Sequence, residues 1–74
     1  MKSLEVKAAR VRLGYRQSHV AEYLGIATPT YCRKENGYAK FTDQERAKLV
    51  ALFGFDLKQA NEYLYDGTLP VGES

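Results

Sequence analysis

Residues 17–37 read QSHVAEYLGIATPTYCRKENG, and Gly25 near the middle leaves this stretch few ways to fold. Before it, Val20, Ala21 and Leu24 recur at helical spacing, so a helix of two turns starts at Gln17 and buries one face. Gly25 permits a sharp bend, and Ala21 is small where a following helix must cross closely, a pairing that suits a helix-turn-helix corner. Ile26 then plugs the core. Thr28-Pro29 starts a third helix, with the threonine as cap and the proline in the first turn, where its missing N–H costs nothing. That helix runs to about Asn36 and stops at Gly37. Only Tyr31 and, one turn back, Ile26 suit a core there, which leaves Thr28, Pro29, Thr30, Cys32, Arg33 and Lys34 for solvent or a partner. A helix held from behind and polar in front is built for contact rather than for packing.

The flanking sequence supplies the mounting. Ser3 is the expected cap of a first helix over residues 4–13, with Val6, Ala9, Arg10 and Leu13 on one stripe, Lys7 and Arg12 outside, and Gly14 as its stop. An arginine on an apolar stripe is costly without a carboxylate, and Glu35 is the expected partner in a structural ion pair. Tyr15 and Arg16 link to the second helix, and Phe41 closes over the core from the loop after Gly37. Thr42 caps a fourth helix with Asp43 and Glu45 in its first turn, where the helix dipole favours acid. Leu49, Val50, Leu52 and Phe53 form its core stripe and Gly54 ends it. Asp56 caps a fifth helix over residues 57–65, with Leu57, Ala60 and Leu64 inward and an end at Asp66-Gly67. The expected organisation is one all-α domain of five helices over residues 1–67 and a flexible tail over 68–74.

Seventy-four residues build a single core and bury only roughly 60% of the unfolded surface, so one domain is expected. No apolar run approaches the ~20 residues of a membrane span and no secretory segment opens the chain, which points to a cytoplasmic protein with no membrane partner. One cysteine, Cys32, and one histidine, His19, make neither an internal disulfide nor a zinc set, so no metal or cofactor is expected. The net charge of +2 divides unevenly. Residues 1–40 carry eight basic against three acidic side chains, a balance of +5, and residues 41–74 carry three against six, a balance of −3. The basic half is expected to face a polyanion.

The residues Arg10, Gly14, Gln17, Val20-Ala21 and Leu24-Gly25-Ile26, and above all Arg33-Lys34-Glu35-Asn36-Gly37 followed by Phe41-Thr42, carry a resemblance to a known group. From about Val6 to Tyr65 the chain resembles the phage repressor and Cro (Xre-like) helix-turn-helix family. The resemblance implies a lambda-repressor-like fold with the helix-turn-helix at helices two and three, and a third helix that enters the DNA major groove while the first turn of the second touches phosphate. Carried over by position, Thr28, Pro29, Cys32 and Arg33 would face bases. Arg16, Gln17, Thr30, Lys34, Asn36 and Lys40 would meet phosphate, with the Lys34 stem packing while its ammonium reaches out. Arg33 is the specificity candidate, since a guanidinium pairs with O6 and N7 of guanine. The chain departs from the family at Ala27, where a cap residue is usual, and at Lys34 and Arg46, where apolar residues are common.

The function expected is that of a Cro-like, sequence-specific transcriptional regulator that binds a double-stranded operator as a homodimer. Phe55, Leu57, Tyr63 and Tyr65 are its expected dimer or partner surface. A modulator or anti-repressor that binds a partner repressor protein is the alternative, suggested by the weak net charge, the acidic second half and the surplus of aromatics near the last helix. No glycine-rich phosphate loop, nucleophile elbow or acid pair is present, so an enzyme is not expected. Tyr15, Tyr23 and Tyr38 could form an aromatic platform for single strands, but their spacing also fits half-buried packing, which is the preferred reading. His19 is expected to be exposed on the second helix.

Overall fold

The computed structural model describes residues 1–66, so Gly67 and the expected tail over 68–74 lie outside the described residues. Five helices follow in order, α1 Ser3–Arg12, α2 Gln17–Leu24, α3 Thr28–Glu35, α4 Asp43–Phe53 and α5 Leu57–Leu64, and the described residues contain no strand. The chain is all-α, and none of its helices is long and apolar enough to cross a membrane among the described residues.

Four of these helices end in the same way, and the device explains where the next side chain goes. The N–H of the residue after each terminal glycine bonds back five positions: Tyr15 to the Arg10 carbonyl at 3.1 Å, Ile26 to Ala21 at 3.0 Å, Tyr38 to Arg33 at 2.9 Å and Phe55 to Val50 at 3.1 Å. At Gly25 and Gly54 the backbone sits in the left-handed region, φ 76° and 72°, where a side chain would be strained. The chain is thereby hooked over the helix end, and the next residue is turned toward the core. Phe55 is accordingly buried. It makes edge contacts with Phe53 and Tyr63, ring centroids 5.7 and 5.3 Å away, so it is a core residue and not the partner surface expected of it. Tyr15 and Ile26 are half-buried against the same core. Tyr38 is the exception, at 78% exposed.

Helix starts differ from the expected ones at two places. Ser3 and Thr28 each lie one residue inside a helix, and the caps are Lys2 and Ala27, neither with a side-chain bond. The hook at Gly25-Ile26 leaves a single extended residue, Ala27, whose carbonyl accepts the first helical bond from the Tyr31 N–H at 3.0 Å. At α1 the Lys2 N–H donates to the Tyr63 carbonyl at 2.8 Å, and this tie to α5 sets the helix edge. The other three starts are as expected: α2 begins at Gln17, and Thr42 with Glu45, and Asp56 with Gln59, form reciprocal capping boxes at α4 and α5.

The core gathers Val6 and Ala9 of α1, Val20, Ala21 and Leu24 of α2, Tyr31 of α3, Phe41 from the loop, Leu49 and Phe53 of α4, and Ala60 and Leu64 of α5. Leu13 and Leu57, expected inward, are exposed. Leu13 is the C-cap just past α1, where the chain is already turning away, and Leu57 is the first residue of α5, ahead of the turn that packs. Arg46 of α4 works as a strap: it donates from Nη1 to the Phe41 carbonyl at 2.9 Å, pairs with Asp43, and sits 4.8 Å over the Tyr65 ring.

A cost that is purely conformational follows at Gly25, because a Cβ there meets nothing within 4 Å. Gly25→Ala is expected to destabilise the domain by about 1–2 kcal/mol, the penalty of a left-handed L-residue, with an unchanged urea m-value. A loss under a few tenths of a kcal/mol would mean that the hook is dispensable.

Candidate nucleic-acid interface

The placement of α3 is decided by one carboxylate. Glu35, in the last turn of α3, is 1% exposed and takes donors from three helices. Arg10 of α1 donates from Nε to Oε2 at 2.6 Å and from Nη2 to Oε1 at 3.4 Å. Gln17 of α2 donates from Nε2 to Oε1 at 2.9 Å, and the Tyr31 hydroxyl donates to Oε2 at 2.8 Å. Arg10 spends its remaining nitrogen on the Tyr15 carbonyl, at 2.8 Å. The expected ion pair therefore exists, as the centre of a network in which both carboxylate oxygens are filled, as a buried charge requires.

Burial alone would push the Glu35 carboxyl up, but hydrogen bonds from Arg10, Gln17 and Tyr31 outweigh it and hold the group below its usual value of 4.5. The same carboxylate holds the Arg10 guanidinium up, and burial followed by Glu35 pushes the Tyr31 phenol up. A second, partly buried pair clamps the other flank of α3. Lys34 Nζ donates to Glu45 Oε1 at 2.6 Å, and the same oxygen accepts from the Thr42 N–H at 2.9 Å. Burial raises the Glu45 carboxyl, while Lys34 and Thr42 bring it below the usual range.

Two of the expected phosphate contacts are thereby committed elsewhere. The Lys34 ammonium turns into the α3–α4 seam, where Glu45 holds it and its side chain is only 12% exposed. The Gln17 amide turns into the Glu35 network from the first residue of α2. Arg16 and Lys40 are exposed. Asn36 is exposed as well, but its amide donates back to the Cys32 carbonyl at 2.9 Å.

Along α3 the residue directions follow the helical period. Tyr31 and Glu35 point inward; Pro29 and Arg33, one turn apart, fall on the opposite side, and Thr28, Pro29, Thr30 and Arg33 are all exposed. Cys32 is partly covered at the edge of this face. The surface is thus small and neutral at its start and cationic at Arg33, whose guanidinium takes part in no ion pair among the described residues. Of the tyrosines, Tyr15 packs, 4.9 Å from a coplanar His19, whereas Tyr38 stands free of the core just after α3, against the expected packing. Sequence reasoning missed Glu45 as the anchor of Lys34; the Thr42-x-x-Glu45 spacing of a capping box was the available signal.

Compared with known proteins, the chain matches no protein-family model, no curated protein and no solved structure.

Two measurements check the anchoring of α3. Arg10→Ala leaves Glu35 buried with only neutral donors and is expected to cost about 3 kcal/mol, near the low end for a broken buried pair because Gln17 and Tyr31 remain. That is a large share of the roughly 4–11 kcal/mol available to a chain this size. Because the folded Glu35 and Glu45 carboxyls lie below 4.5, their stabilisation is full above that pH and is lost as pH falls through the depressed folded values. Urea midpoints should therefore be flat from pH 7 to 5 and fall steeply below 4.5, with a shallower fall in Glu35→Gln. An equal acid slope in Glu35→Gln would remove Glu35 from that role.

Proposed function

We propose that the protein is a DNA-binding transcriptional regulator that lays the outer face of α3 in the major groove, as the repressor and Cro-like proteins it resembles do. One observation carries the reading: α3 is fixed by one buried and one partly buried ion pair on the side facing the protein and is left bare along Thr28, Pro29, Thr30 and Arg33. Packing gains nothing from holding a short, mostly polar helix so firmly, but readout of base edges demands a helix whose rotation and tilt are set. Arg33 is the residue for guanine, Thr28 and Thr30 suit thymine methyls or phosphate oxygens, and Arg16 with Lys40 supplies charge for the flanking backbone. Lys34 contributes nothing to phosphate here, since Glu45 holds it. The biological setting consistent with this reading is a phage or prophage switch in which a homodimer binds a palindromic operator.

Binding through a partner repressor is the second reading, supported by Leu57, which is 60% exposed at the start of α5 within the acidic half. The two readings separate on salt. DNA binding that neutralises two or three phosphates gives a log–log salt slope of about −2 to −3, whereas an apolar protein contact responds little.

The decisive experiment selects binding sites from a random duplex pool and then compares Arg33→Ala with the natural chain on the selected sequence and on random DNA. Loss of about 1–3 kcal/mol confined to the selected sequence is expected. No enrichment from the pool, or an unchanged specificity ratio, would sink the assignment.

A further inference from the structure

We infer that the outer face of α1 is a self-association surface, on which α1 of a second copy of this chain packs antiparallel. Leu4, Ala8 and Val11 recur at four and three residues and fall within about 60° of arc on the helix, roughly opposite the direction of Val6, Ala9 and Arg10. Helix α1 thus carries two apolar stripes, and among the described residues only one of them is covered. Leu4 is 81% exposed, Val11 58% exposed, and Ala8 between them is exposed as well. Single apolar residues on a surface need no explanation, but three in register on the back of a core helix form a seam.

Charge selects the occupant. Glu5 and Arg12 are exposed and lie on the same flank of this stripe, seven residues apart. In an antiparallel pair each flank meets the same flank of its partner. A two-fold axis at Ala8 sets Glu5 beside Arg12 of the partner subunit and Leu4 beside Val11 of the partner subunit, each within one residue of register, about 1.5 Å along the axis. Ala8 at the axis is small enough for the helices to approach closely. The face is therefore complementary to itself, which a surface for an unrelated protein need not be. Lys7, on the other flank, meets the partner's Lys7 and limits affinity. Three apolar side chains from each copy fall short of the ~800 Å² that a standard interface buries per partner, so the dimer is weak and concentration-dependent. This inference does not depend on DNA binding, and its test contains no DNA.

Sedimentation equilibrium up to millimolar concentration is expected to show a monomer–dimer equilibrium. Val11→Glu should weaken it by about tenfold or more, Glu5→Arg and Arg12→Glu should each weaken it, and the double variant should recover. Leu4, Glu5, Val11 and Arg12 are all exposed, so each variant keeps its fold, which circular dichroism verifies. In a Cys32→Ser background, Ala8→Cys should oxidise to a covalent dimer while His19→Cys, on α2, should not. A single-chain mass throughout, dimerisation that Leu57→Glu abolishes and Val11→Glu leaves intact, or a double variant no better than the singles would overturn the proposal.

Discussion

The carboxylate of Glu35 is the constraint on which the arrangement of the first three helices depends. It is a buried negative charge in a small domain, and it is tolerable only while Arg10, Gln17 and Tyr31 converge on it. Hydrophobic contacts among Val6, Val20 and Tyr31 favour packing of these helices but are indifferent to rotation by a few tens of degrees. Four directional bonds are not. A helix that slipped or rolled would leave a charge in the core with lone pairs unfilled, which costs far more than a few displaced methyl groups. The network therefore selects one orientation of α3 among many compact alternatives.

Lys34 and Glu45 impose the same demand from the other side, and Glu45 also belongs to the capping box that starts α4. The loop between α3 and α4 is held at both ends by that one carboxylate oxygen, which explains how Phe41 is carried into the core. Part of the positive excess in the first half of the sequence is consequently structural. Arg10 and Lys34 answer internal carboxylates, which leaves Arg16, Arg33 and Lys40 as the exposed cations near α3.

How much of this was legible in the sequence varied with the range of the interaction. Helix count, order and stops were readable, because glycines and apolar spacing act locally. The Arg10–Glu35 pair was readable because an arginine on an apolar stripe has to find a carboxylate. The caps at Thr42 and Asp56 were readable for the same local reason, while Ser3 and Thr28 were misread because backbone ties from Tyr63 and from the Gly25 turn outweigh a hydroxyl. Burial of Phe55 lay hidden in the geometry of the hook after Gly54. The bonds of Gln17 to Glu35 and of Lys34 to Glu45 join residues distant in sequence, and only the packed fold brings them together. For the contact face, the sequence supplied the candidates, and the fold removed two of them from contact with phosphate.

The lengths of the helices bear on how the molecule responds to whatever touches it. At 8 to 11 residues each, all five are shorter than the ~12–15 residues that hold in water alone, so none persists without its neighbours. With α3 tied to α1, α2 and α4 by charged pairs, loss of packing at one helix removes support from the others, as expected of a small domain that unfolds as one cooperative unit. A ligand that grips only the few exposed side chains of α3 thus raises the protection of those amide protons that exchange by global unfolding, including ones in helices it never meets.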